Sequence, residues 1–229
     1  MLKLVLLLGI IFTLNVISKE DEKIEYEGFE YSSLGLDIIQ TDSTGVGLKV
    51  SIPLPGNLYV IAERRAEEID FSEDSYERII SALRLGFHSG IGDILSSVSA
   101  RGLKLDIKNI FDVYTELGIK TTSYDSNIVL FSEDDSKANV ITGIRFGDSE
   151  GWEGRFFVDF SKDAEISIKQ CPPGQVCTEE LQYELDDETD RKFGAGILYN
   201  INKRSAVTIE MSTSKIFDTS LKIGYQLNF

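Results

Sequence analysis

The chain has 229 residues, 42% hydrophobic and 27% charged, which suits one folded domain and is too apolar for a disordered chain. A formal net charge of −15 argues against nucleic acid as a partner. Two cysteines and a single histidine are too few for a structural zinc site.

Met1, Leu2 and Lys3 precede an apolar run from Leu4 to Ile17, with Val16 and Ser18 as small residues before the charged stretch Lys19 to Lys23. This reads as a secretory signal peptide, residues 1–18, because the run falls short of the roughly 20 apolar residues that a membrane-spanning helix needs. No cysteine follows it, so lipidation there is not expected. Residues 19–27 form a short N-terminal segment, and residues 28–229 form the folded part.

Beyond the leader no apolar stretch reaches 18 residues, so strands rather than helices would have to cross a bilayer. Val46, Leu48, Val50, Ile52 and Leu54 alternate with Gly47, Lys49, Ser51 and Pro53, a period of two with one apolar face. The pattern returns in Leu83, Leu85 and Phe87, in Phe111 to Ile119, in Val140 to Phe146 and in Phe193 to Tyr199. Tight turns at Pro55 to Asn57, Asp148 to Gly154 and Asn202 to Arg204 alternate with longer acidic connections, as short periplasmic turns and longer outer loops would. The acidic stretches Glu67 to Asp74, Glu133 to Asp135 and Glu179 to Asp190 read as solvated loop tips without calcium-loop spacing, so no metal site is expected. Cys171 and Cys177, separated by Pro-Pro-Gly-Gln-Val, are expected to close a short structural disulfide in an exported protein.

The last segment sets Leu221, Ile223, Tyr225, Leu227 and Phe229 against Lys222, Gly224, Gln226 and Asn228. It resembles the terminal strand of small outer-membrane β-barrel proteins, whose assembly signal is matched by Lys222, Gly224, Leu227 and Phe229. The resemblance implies an antiparallel transmembrane β-barrel in the outer membrane of a Gram-negative bacterium. Its partners would be the assembly machinery during biogenesis and outer-membrane lipid, including lipopolysaccharide. An all-β barrel of about ten strands fits the even count of such proteins, with eight as the alternative. The strands fall near 28–40, 44–54, 58–68, 76–88, 109–122, 138–147, 154–169, 191–201, 205–214 and 219–229. Ile91, Ile94, Leu95, Val98 and Leu103 lie at helical spacing, so a short periplasmic helix is expected near 91–103.

With the apolar faces outward, the intervening positions point into the barrel. They carry Lys49, Arg84, Glu116, Lys120, Arg145, Asp159, Glu210 and Lys222, with Glu63 and Asp112 beside them. In a barrel this narrow such mixed charges are expected to pair and fill the lumen. The aromatics Tyr59, Phe87, Trp152, Phe156, Tyr199, Tyr225 and Phe229 are expected on the lipid face or at its rims. His88 has no evident catalytic partner. These features point to a monomeric structural or surface-interaction barrel with no cofactor and no assigned catalytic residue. A small channel and a lipid-directed enzyme are the alternatives.

Overall fold

A computed structural model describes residues 29–41, 43–71, 74–90, 111–126, 133–148, 151–168, 183–214 and 219–229. Among them ten strands run in chain order: β1 (Ser33–Gln40), β2 (Thr44–Leu54), β3 (Leu58–Phe71), β4 (Asp74–Gly90), β5 (Phe111–Ser126), β6 (Glu133–Gly147), β7 (Trp152–Ile168), β8 (Tyr183–Asn202), β9 (Ser205–Thr213) and β10 (Thr219–Asn228). Consecutive strands pair antiparallel. β1 also pairs with β10, from Ser33 opposite Asn228 to Gln40 opposite Leu221, and this closes the sheet into a barrel without edges.

The period of two decides what faces where. On β2, Val46 is 61% exposed while the neighbouring Gly45 and Gly47 are buried, and on β5 the exposed Leu117 and Ile119 flank inward Gly118 and buried Glu116 and Lys120. Leu83, Leu85, Leu221 and Ile223 are exposed, and Leu48 shares their outward face. A soluble protein hides such residues; here they coat the outside, while Arg78, Arg84, Glu116, Lys120 and Asn139 are buried inside.

Tight turns gather at the barrel end where β1 begins and β10 finishes. Pro55 to Asn57 joins β2 to β3, with Gly56 at φ 77°, a conformation open to glycine and costly for other residues. Lys203 and Arg204 join β8 to β9, where the Asn202 side chain accepts from the Arg204 amide at 2.8 Å. At the opposite, distal end the ladders run further than the alternation suggests. β3 and β4 pair from Leu58 opposite Phe87 out to Phe71 opposite Asp74, and β7 and β8 pair out to Ile168 opposite Tyr183.

Three expectations need correction. The first strand begins at Ser33, not near 28, because Phe29 to Ser32 turn into the barrel. Parts of the acidic stretches are strand rather than loop tip: Glu67 is 3% exposed and paired with Arg78. Tyr59 is not a rim residue; it is 1% exposed and points into the lumen. Residues 1–18 and 19–27, the segment 91–103, and Cys171 with Cys177 lie outside the described residues.

Candidate functional site in the barrel lumen

Strand parity places Lys49, Arg84, Glu116, Lys120, Arg145, Asp159, Glu210 and Lys222 on the inward face. The structure gathers them into three adjoining groups, the first two sharing Glu63.

Arg84 is the centre of the first. Its Nε donates to Glu116 Oε2 at 2.9 Å, one terminal nitrogen to Glu63 Oε2 at 2.7 Å and the other to Asn139 Oδ1 at 3.3 Å. Glu116 also accepts from the Tyr59 hydroxyl at 3.2 Å, and Asn139 donates to Asp159 Oδ1 at 2.6 Å. Lys120 stands beside this group and donates to Ser161 Oγ at 2.6 Å. Five strands, β3 to β7, are thereby tied across the lumen by donors and acceptors that satisfy one another, the condition under which buried charge is tolerable.

The second group links β3, β7, β9 and β10. Lys222 Nζ lies 3.4 Å from Glu210 Oε1 and 3.8 Å from Glu63 Oε1, and Arg155 pairs with Glu210. A residual cavity of about 100 Å³ adjoins this group, lined among others by Lys49, Asp37, Tyr114 and Thr208. A polar cavity of that size has room for ordered water between the charged side chains.

The third group closes the terminal mouth. Arg145 donates to Glu153 Oε2 at 2.5 Å and to the Glu30 carbonyl at 2.9 Å, and its guanidinium lies over the rings of Phe29 (5.0 Å) and Tyr31 (4.7 Å). Tyr31 stacks on His88 at 4.0 Å, donates to Asp112 Oδ2 at 2.9 Å, and has its carbonyl held by Ser51 Oγ at 2.5 Å. Burial, opposed by nearby Arg145 and reinforced by Asp112, pushes the Tyr31 phenol up, so it remains the donor in this bond. Phe29 to Ser32 therefore form an inserted cork. With both native cysteines replaced by serine, Ser32→Cys should resist an impermeant maleimide in the folded barrel, whereas adding Arg145→Ala should speed labelling roughly tenfold by freeing the cork. Equal labelling rates with and without Arg145→Ala would rule out the anchor.

His88 now has partners: its Nδ1 lies 3.1 Å from Asp112 Oδ2, and its ring stacks on Tyr31. A histidine so engaged positions the cork, and no hydroxyl nucleophile hydrogen-bonds to it among the described residues. In the terminal strand, Lys222 and Gly224 face the lumen, Leu227 and Phe229 face outward, and the Phe229 amide donates to the Ser32 carbonyl at 3.4 Å. Among the described residues no cluster of three or more His, Cys, Asp or Glu is arranged to hold a metal.

Tyr31, Tyr59, Asn139, Glu153 and Arg155 belong to the lumen but escape the sequence reading, whereas the alternation of β5 already sets Tyr114 on its inward face. Parity carried the signal for several: Asp159 faces inward, so Arg155 and Glu153 on the same strand must too.

No family model matches the chain. It is 31% identical over 163 residues to a putative F-box/kelch-repeat protein of Arabidopsis thaliana, an alignment covering 66% of this chain and 43% of that protein. The chain thus spans less than half the length of this curated relative. Kelch propellers are radial arrays of four-stranded blades, unlike the single closed barrel seen here. Among solved structures the chain is similar to the KdgM porin (10% identity, TM-score 0.43, 86% of this chain and 99% of that one). It is also similar to the NanC porin (8%, 0.42, 86% and 99%) and to outer membrane phospholipase A from Escherichia coli (13%, 0.36, 87% and 98%). These likenesses are loose, and the barrel stands on the chain's own closed register.

Proposed function

We infer that this chain is an integral outer-membrane β-barrel of structural or surface-interaction type, with a lumen filled by side chains. The observation that carries the reading is the inversion of polarity: exposed Leu, Ile, Val and Phe on the outward face and paired charges within. The outward run Val46 to Leu54, tilted as barrel strands are, rises about 20–25 Å, close to the apolar band of such barrels. Trp152 and Tyr199, with ring centroids 4.5 Å apart, and exposed Phe111 and Phe229 ring the terminal rim, where an aromatic girdle would meet the lipid headgroups. The Arg84 group across the middle and the Phe29 to Ser32 cork at the mouth both oppose conduction.

The test is reconstitution. The folded protein should resist a carbonate wash, run as a heat-modifiable band, and give no conductance steps in planar bilayers. Reproducible steps that change size with Glu116→Gln or Arg145→Gln would make it a channel and overturn the filled-lumen reading. Full release by carbonate would overturn membrane insertion itself.

A further inference from the structure

On the outward face of β2 to β5 the register sets two rows side by side. One is apolar: Val50, Ala62, Leu83 and Ile119 are successive cross-strand partners. The next row toward the distal end is largely polar: Leu48, Arg64, Ser81 and Thr121. Because Ala62 and Ser81 are small among larger neighbours, the rows enclose an open groove of about 490 Å³. Arg64 is exposed at the upper edge of the apolar face and joins no hydrogen bond or ion pair among the described residues. Its charge therefore stands at the border between the apolar band and the polar row with no counter-ion from the chain among the described residues, where an anion at the membrane interface can meet it.

We propose that this groove is a binding site for an anionic lipid with a phosphomonoester headgroup in the outer leaflet: Arg64 receives the phosphate and the Ala62–Leu83–Ile119 floor receives an acyl chain. The proposal rests on the membrane reading above. Arginine suits the task, since its fork can donate two parallel hydrogen bonds to phosphate oxygens and its stem can lie along the apolar floor while the charge reaches the interface. The Thr121 hydroxyl lies on the same row, already sharing a hydrogen bond with Ser136 at 2.8 Å, and adds polar capacity above the groove. Charge complementarity selects the headgroup, and the groove beneath selects a lipid over a free anion.

The test uses the full folded chain in detergent micelles, with native mass spectrometry as the readout and diphosphoryl lipid A, phosphatidylcholine and inorganic phosphate as probes. One lipid A should be retained, and excess inorganic phosphate should not displace it. Arg64→Gln should weaken retention about tenfold, the scale of one lost charge-assisted contact. Ala62→Phe, which fills the floor and leaves the cation, should weaken it as well. Arg191→Gln, on the opposite side of the barrel in β8, should leave it unchanged. Equal weakening by Arg64→Gln and Arg191→Gln, lipid A held no better than phosphatidylcholine, or complete displacement by phosphate would each overturn the site. Any of these results in a heat-modifiable, non-conducting barrel would defeat the lipid site alone, whereas failure to insert would defeat the membrane reading beneath it.

Discussion

Replacing Arg84 with alanine should destabilise the folded barrel by about 3–5 kcal/mol, the range seen when one member of a buried charged network is removed. The guanidinium meets two carboxylates and an amide, and its loss leaves Glu116 buried with the Tyr59 hydroxyl as its remaining donor among the described residues. Glu63 suffers less, because Arg65 Nε at 3.3 Å and Lys222 at 3.8 Å remain beside it. The check is the urea midpoint of the heat-modifiable band in detergent micelles. Two controls separate pairing from packing. Glu116→Gln keeps an acceptor for Arg84 and should cost about 1–2 kcal/mol. Arg84→Met combined with Glu116→Leu removes both charges while retaining bulk, and should recover most of the loss, since a well-packed apolar replacement of an ion pair is often close to neutral. A loss below about 1 kcal/mol for Arg84→Ala would mean that water screens these groups as it does surface ion pairs, and that the lumen is wetter than the geometry implies.

The number of strands and the facing of their side chains were legible in the sequence because both follow from local periodicity. Through the middle of β2, β5 and β10 the outward residues are mostly apolar and the inward ones mostly small or polar, and no long-range information is needed to read that. Partners are another matter. Tyr59 meets Glu116 and Tyr31 meets Asp112 across separations of 57 and 81 residues, which only the closed register brings together. The cork was nevertheless signalled by parity: Phe29 and Tyr31 share the odd positions of Gly35 and Asp37, so a continuous first strand would have pushed two aromatics inward at the mouth. The distal ends were misread for a physical reason. Acidic residues look solvated in sequence, but the β3–β4 ladder continues past the apolar face and buries Glu67 against Arg78. There the charge is neutralised by a cross-strand neighbour instead of by water.

Gly86→Val should cost about 3 kcal/mol, because the inward space beside Gly86 is already taken. Gly86 is the direct cross-strand partner of Tyr59, and a Cβ at this position would overlap the Tyr59 ring. That ring has little freedom to yield: it is 1% exposed, lies 4.4 Å from the Tyr31 ring, and is tethered through its hydroxyl to Glu116. Tyr114 opposite Gly143 and Phe157 opposite Gly194 repeat the arrangement, so an aromatic laid over a bare backbone is a recurrent way in which this barrel fills its interior while its sheet curves. The decisive measurement is a double-mutant cycle. Tyr59→Ala alone should cost about 3 kcal/mol by emptying the space, and in that background Gly86→Val should cost far less than in the parent, a coupling of about 1–3 kcal/mol. If the two losses simply add, the ring is free to swing away from Gly86. It would then serve as the hydrogen-bond donor to Glu116, a role that Tyr59→Phe, losing about 1 kcal/mol, would isolate.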